Sequence, residues 1–392
     1  MNIVVLTDYY HPIIKSGSII VGDLVDELVL QGHQLTVITF VNNQKHFVQC
    51  AVEGNLEIIR IRSLTRGYGK VGRLWAEYNY SKKVIKNLKK NQNINYDAII
   101  CYSPSIFYGT AVRWIKTRYK IKAYIIVRDI FPKWALDSGI LSDGLLYKYF
   151  KFIERNLYSS ANIIGIESKA DLKYFQNYGL ELKIQIEVLN NWAIKKILVK
   201  KNLPIEITLD ETKINIVYGG NMGDAQDLFS VISSIDISIL EKRAVIYLIG
   251  NGNQFYKIKK FIQTKKISNI IILPPIERDQ YLTLMSKADI GLVSLSKKML
   301  SNNYPLKMIG YMQLGKPILA SVNQNNEVIK MFNEHNIGLV SIASDKVNFN
   351  RNLNEIISSK VNRKVQSKNA LKLFNRKFTA EAAALQISNH FL

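Results

Sequence analysis

Short runs of apolar and β-branched residues alternate along this chain with longer stretches in which apolar positions return every three or four residues. That rhythm predicts repeated strand–helix–strand units and a mainly parallel sheet. In the first half, residues 3–6, 35–40, 98–101, 124–127 and 163–166 are the predicted strands. Between the first two, Val21, Leu24, Val25 and Leu28 recur at helical spacing, and Gly32 stands where a helix C-cap belongs. A second series, at 214–218, 245–250, 270–273, 290–294, 317–320 and 338–340, begins after a Lys-rich, patternless stretch at 194–213 that reads as a linker. The expected architecture is α/β: two Rossmann-like, doubly wound domains, 1–195 and 196–378, with a last helix at 379–392 packing back on the first. Such sheets bind ligands beyond the carboxyl ends of their strands, so two of them facing each other predict a central cleft that holds the chemistry.

Composition narrows this picture. At 392 residues and 47% hydrophobic, the chain can bury two ordinary cores. Cys50 and Cys101 have neither a CxxC partner nor a His cluster beside them, which fits a reducing cytoplasm. The first residues run directly into a predicted strand, and no apolar run approaches the roughly 20 residues that span a bilayer, so neither a secretory leader nor an integral membrane protein is expected. The net charge of +22 is spread over both halves. It could attract nucleic acid, anionic lipid or a phosphorylated substrate, or it could reflect the Lys-rich, Asn-rich coding bias of a genome. No RNP-like, zinc-finger or helix-turn-helix pattern accompanies it, so nucleic acid is not an expected partner.

Three segments carry candidate chemistry. The loop from Asp8 to Ser18, with Gly17, joins the first strand to the first helix, where amide groups and the helix dipole favour an anion; it is equally an ordinary turn and cap. Gly219, Gly220 and Gly223 follow the first strand of the second half, and Gly250 and Gly252 follow the next. One glycine-rich turn commonly serves chain geometry, whereas two at consecutive strand ends favour close backbone approach to a diphosphate. The third segment places Pro305 in a first helical turn, with Lys307 adding charge beside free amides; otherwise Lys307 is a solvated lysine on a short helix. Asp129, at the end of a predicted strand, could orient or deprotonate a hydroxyl, cap a helix, or pair with Arg128; Glu167 and Glu277 are weaker candidates of the same kind. There is no Asp-x-Asp pair and the five His are scattered, so no metal is expected.

Residues 60–90 hold ten basic side chains and one acid, Glu77, interleaved with Leu74, Trp75, Tyr78, Tyr80, Ile85 and Leu88. The mixture suits a membrane interface, yet Leu74, Tyr78, Ile85 and Leu88 also make an ordinary buried stripe. Tyr147, Tyr149, Phe150 and Phe152, with Lys148 and Lys151, could extend the same face.

Taken in order, Asp8-Tyr9-Tyr10-His11-Pro12, Val127-Arg128-Asp129-Ile130-Phe131-Pro132, Leu189-Asn190-Asn191-Trp192, the Gly220-to-Gln226 turn, and Tyr304-Pro305-Leu306-Lys307 before Gly315-Lys316-Pro317 make the chain resemble a known group. It resembles the retaining family-four glycosyltransferases of GT-B fold, and within them the O-antigen and capsule branch with its N-acetylfucosamine (L-fucosamine) transferases. The resemblance implies transfer from a UDP-sugar to an undecaprenyl-diphosphate-linked saccharide, at the cytoplasmic face of the inner membrane and without a metal cofactor. It implies Lys307, Arg128 and Asp129 as catalytic groups. It places Gly17, Gly220, Asn221, Gln226, Gly250 and Gly252 at the donor, with Ile276, Asn303, Tyr304, Pro305, Leu306 and Tyr311. Arg73, Trp75, Lys82, Lys83 and Tyr149 are then the membrane or acceptor side, since a polyprenyl acceptor cannot leave the bilayer. The family's Arg and Lys of the glycine turn are Asn221 and Gln226 here, which leaves Lys307, and second Arg128, to neutralise the diphosphate. Its paired glutamates fall on Asn302 and Gly310, so Tyr311, Asn303 or Glu327 would have to take their part. The rival readings are a GT-B-fold UDP-sugar 2-epimerase and, on charge alone, a nucleic-acid binder.

Overall fold

The computed structural model describes residues 1–13, 16–41, 48–63, 69–90, 94–103, 105–137, 139–195, 208–298 and 304–392. They form two compact units, Met1–Asn191 with Ala380–Leu392, and Trp192–Thr379. Most of the stretch read as a linker, and Asn302 and Asn303, lie outside the described residues.

Unit 1 contains strands β1 (Asn2–Leu6), β2 (Gln34–Val41), β3 (Val48–Glu53), β4 (Leu56–Arg62), β5 (Ala98–Ser103), β6 (Lys122–Val127), β7 (Ile163–Ile166) and β8 (Gln185–Val188). Its helices are α1 (Ser16–Leu30), α2 (Gly69–Tyr78), α3 (Tyr80–Leu88), α4 (Gly109–Tyr119), α5 (Lys133–Asp137), α6 (Leu145–Tyr158) and α7 (Leu172–Leu182). The strands order as β3-β4-β2-β1-β5-β6-β7-β8, all parallel except β3. β5 is buried at every position, as expected where helices cover both faces of a parallel sheet. Val21, Leu24, Val25 and Leu28 are the buried stripe of α1, and Gly32 follows that helix at φ +85°.

Unit 2 contains β9 (Ile214–Gly219), β10 (Ala244–Ile249), β11 (Ile270–Leu273), β12 (Ile290–Ser294), β13 (Ile318–Val322) and β14 (Gly338–Ile342). Its helices are α8 (Leu228–Ser234), α9 (Phe255–Thr264), α10 (Arg278–Lys287), α11 (Leu306–Gln313), α12 (Glu327–His335), α13 (Lys346–Ser358) and α14 (Lys360–Lys377). The order β11-β10-β9-β12-β13-β14 is entirely parallel and reverses between β9 and β12. That reversal opens a crevice at the carboxyl ends of those two strands. The final helix, α15 (Ala380–Ser388), returns to unit 1. There Gln386 donates to the Val188 carbonyl at 3.0 Å, and His390 meets Glu187 at 2.9 Å.

Candidate functional site

In unit 2 the chemistry gathers where β9 and β10 end. The backbone N–H of Gly220 donates to the Ile249 carbonyl at 2.9 Å, and that of Met222 to the Asn251 carbonyl at 2.6 Å, so the two glycine turns lie one on the other. A Cβ on Gly250 would stand 1.9 Å from the Gly220 carbonyl oxygen, which is why no side chain is possible there. Asn221 donates to Gln226 Oε1 at 2.9 Å and the Gly223 N–H to the same oxygen at 3.3 Å, so these two side chains close the turn on each other. The Ser296 N–H donates to the Ala225 carbonyl at 2.9 Å, tying the turn across the switch point to the end of β12.

Lys307 is the second residue of α11, and its Nζ lies 3.8 Å from the centroid of the Tyr218 ring. The same nitrogen is inaccessible to solvent and has no hydrogen-bond partner. A Cβ on Gly220 would be 3.9 Å from it. Burial without a countercharge pushes the ammonium down to about 7. A buried, unpaired lysine nitrogen held by an aromatic face beside a glycine turn is suited to an anion.

Several expected donor residues take other places. Pro305 precedes α11 as its N-cap rather than sitting inside the first turn. Tyr311 is not a sugar contact: it is 1% exposed, its hydroxyl accepts from the Gly219 N–H, and it donates to the Leu292 carbonyl. Helical phase turns it under the sheet, against Gly291. Leu306 is exposed, Ile276 is half-buried ahead of α10, and Glu277 is spent on a capping box with Gln280. Tyr304 and Glu327 do come together, the tyrosine hydroxyl donating at 3.2 Å, and beside Gly310 there is open space.

In unit 1 the carboxyl ends of β1, β5, β6 and β7 bring Asp8, Tyr102, Arg128, Asp129 and Glu167 into one electrostatic cluster. Arg128 is buried, and its guanidinium donates to the carbonyls of Leu189 at 2.9 Å and Asn190 at 3.4 Å, so it braces unit 1's own chain while it sits among acids. Asp129 is open to solvent, and the surrounding protein raises its carboxyl while Arg128 and Arg73 oppose the shift. Glu167 is buried and accepts from Asn191 Nδ2. Desolvation pushes it up to about 8, with Arg128 opposing and Asp129 and Asp171 adding to the rise. Gly17 lies in the first turn of α1, 3.6 Å from the Tyr102 ring as measured from an added Cβ. The Ser18 hydroxyl donates to the Ile13 carbonyl.

The raised Glu167 has a consequence for stability. Between pH 4.5, the ordinary value, and about 8, the unfolded chain releases a proton that native Glu167 keeps, so folding loses stability across that window and levels off above it. Glu167→Gln cannot titrate. It is expected to unfold at a higher temperature than the unaltered protein at pH 8 and to lose that advantage by pH 4.5. Thermal melts across the range test this, and a difference that does not change with pH rules it out.

Residues 199–373, nearly all of unit 2, match the family described as Glycosyl transferases group 1. A Pseudomonas aeruginosa protein described as "Probable glycosyltransferase WbjE" is 25% identical over 311 residues, which are 75% of this chain and 72% of that one. This chain is a glycosyltransferase. The enzyme's fold is that of sucrose-phosphate synthase from Thermosynechococcus elongatus, at a TM-score of 0.73 and 14% identity over 100% of this chain and 98% of the other. HepE of Anabaena, in complex with UDP and glucose, superposes at 0.66 and 13% identity over 100% and 99%. WaaG, a glycosyltransferase involved in lipopolysaccharide biosynthesis, does so at 0.64 and 13% over 97% and 98%. At these identities the structures establish the GT-B fold alone.

The glycosyltransferase also carries an apolar surface on unit 1. Trp75 is 61% exposed and stacks on Tyr78, whose ring meets Phe107 edge-on; Phe107 in turn meets Phe150, and Phe150 meets Phe131. These rings link α2, α6 and the turn before α5 through the core, since Phe107 and Phe150 are buried. On α6, Leu145, Leu146, Tyr149 and Phe152 are exposed, Phe152 at 71%. Phe150 itself is a correction, being a buried anchor of α6 and no part of the outer face. So are Tyr80, buried and stacked on Phe40 at 3.8 Å, and Arg60, bound in β4 to the His11 carbonyl at 2.9 Å. Lys83 donates to the Arg62 carbonyl at 3.1 Å, and burial lowers its pKa, so it is not a free interfacial cation. Lys82 stays exposed over the Tyr78 ring, and Arg73 pairs with Glu77 at 2.6 Å while facing Asp8 and Asp129. Among the described residues no helix is long and apolar enough to cross a membrane, and no three His, Cys, Asp or Glu side chains gather as a metal site.

Proposed function

We propose that this enzyme transfers a sugar, N-acetylfucosamine or another N-acetylhexosamine, from a UDP-sugar to an undecaprenyl-diphosphate-linked glycan during capsule or O-antigen assembly. The observation that carries the reading is Lys307: a solvent-excluded, unpaired ammonium at the switch point of unit 2, beneath two interlocked glycine turns. The acceptor hydroxyl oxygen bonds to the anomeric carbon on the face that the diphosphate leaves, so configuration is retained. The C–O bond pair goes to UDP, and the hydroxyl proton to a leaving phosphate oxygen. Lys307 and the first-turn amides of α11 stabilise the charge that develops there, with no metal required. Asp129 orients the acceptor hydroxyl. HepE of Anabaena, which shares the fold, has been solved in complex with UDP and with UDP-glucose, and this supports the nucleotide.

The exposed apolar side chains of α2 and α6 support docking to the cytoplasmic face of the inner membrane. Burying each of Trp75, Leu145, Leu146 and Phe152 is worth roughly 1.5–3 kcal/mol, against about 1 kcal/mol for a lysine near an anionic surface, so the rings and leucines dominate. One experiment addresses the whole reading: a UDP-sugar panel incubated with an undecaprenyl-diphosphate glycan in phosphatidylglycerol vesicles. Retained-configuration transfer is expected, with Trp75→Ser/Phe152→Ser slowing the vesicle-borne reaction and sparing a detergent-dispersed one. Interconversion of two UDP-sugars without acceptor would point instead to an epimerase and overturn the proposal.

A further inference from the structure

At the opposite end of the unit 2 sheet, the amino ends of β9, β10 and β12 and the corner between α13 and α14 enclose an open basin of about 1200 Å³. Six cations line it, Lys213, Lys242, Arg243, Lys287, Lys360 and Arg363, against two acids, Glu211 and Asp289, and of the six Lys213 already pairs with Asp210 at 3.2 Å. The acids are partly committed, since Asp289 accepts from the Asn215 N–H at 2.8 Å. The two arginines are held by neutral partners. Arg243 donates to Asn354 Oδ1 at 3.0 Å and to Ser358 Oγ at 2.6 Å, and Arg363 to the carbonyls of Ile356 and Ile357 at 2.7 and 2.6 Å. Their forks are thereby oriented; Asp289 offsets part of the charge on Arg363, while Arg243 makes no ion pair among the described residues, an arrangement suited to carboxylate or phosphate.

A second observation refines the ligand. Asn215, 5% exposed, lines the basin, and its Nδ2 donates to the carbonyls of Asp210 and Lys213 at 2.9 and 3.0 Å, yet its Oδ1 has no partner. A buried acceptor oxygen left unpaired is costly and calls for a donor such as a hydroxyl. The lining adds Thr208, Thr212 and Ser358 and contains no aromatic side chain, so it lacks the stacking platform that a single-stranded nucleic acid uses.

We propose that this basin is a second binding site, for a saccharide bearing anionic groups: its carboxylate or phosphate ester meets the cations, and its hydroxyls reach Asn215. The site is separate from the donor end of the sheet and does not depend on the donor assignment. The test is calorimetric titration of the full chain with a glucuronate tetrasaccharide, an uncharged tetrasaccharide, glucose 1-phosphate, inorganic phosphate and oligothymidylate. The glucuronate tetramer is expected to bind and the uncharged one not to. Lys242→Gln/Lys287→Gln and Asn215→Ala should each weaken binding by about tenfold while UDP affinity is unchanged. The exposed pair Lys259→Gln/Lys260→Gln on α9 serves as the charge control and should have no effect. Competition by glucose 1-phosphate identifies a sugar phosphate as the source, and its failure to compete identifies an acidic glycan. Equal losses in the control pair, full displacement by inorganic phosphate, or tighter binding of oligothymidylate through the same lysines would each overturn the site.

Discussion

Turnover of the Lys307→Ala enzyme is expected to fall by about 10²–10³-fold, the usual loss when a preorganised charge on a departing anion is removed. The size of the effect follows from where the group sits. Its Nζ is out of solvent, against the Tyr218 ring, and has no acid beside it, so a diphosphate arriving there meets a cation with no competitor. Without the diphosphate, burial holds this ammonium at about 7, and above that pH much of it is neutral. An incoming anion favours the charged form, so UDP binding at pH 8 should take up a proton, whereas Lys307→Met should bind UDP more weakly with no such uptake. Titration calorimetry in buffers of different ionisation enthalpy reads the proton directly. Undiminished turnover in Lys307→Ala, or equal proton uptake in the Met variant, removes Lys307 from the leaving-group site.

How much of this could be read beforehand differs from element to element. The parallel strands were legible because both their faces are covered, which forces runs such as Ile-Ile-Ile-Leu in β11 and Ala-Val-Ile-Tyr-Leu-Ile in β10. The antiparallel β3–β4 hairpin was not, since β3 is an edge strand with most positions exposed and Cys50 and Val52 break any clean alternation. The turn residues Gly54 and Asn55 were the available signal. Lys307 was legible through a local motif, Tyr-Pro-Leu-Lys. Glu167 stands out little in the sequence because what changes its chemistry comes largely from other strands: Arg128 and Asp129 after β6 and Asn191 after β8. For Tyr311 and Phe150 the sequence points to the wrong face for a simpler reason. A step of one residue on a helix turns a side chain by about 100°, and in a short aromatic run nothing in the spacing sets the phase.

Gly250→Ala is expected to lower kcat/KM for the donor by about 10²-fold, and the comparison that gives this weight is Gly310→Ala, expected to be nearly neutral. Gly250 sits at φ +149°, a conformation that a side-chain-bearing residue rarely adopts, and its added Cβ would lie 1.9 Å from a backbone oxygen of Gly220. Backbone cannot step aside as a flexible side chain does, so the Gly220 turn must move, and with it the amides above Lys307. Strain of this kind costs on the order of 1–3 kcal/mol, and a domain the size of unit 2 melts about 2–4 °C lower for each kcal/mol. At Gly310, inside α11, an added Cβ meets nothing within 4 Å, and helix propensity even favours alanine. Thermal melts and donor kinetics on the two variants side by side separate a local steric effect from general fragility. If both lose activity alike, the interlocked glycine turns are not what positions the donor.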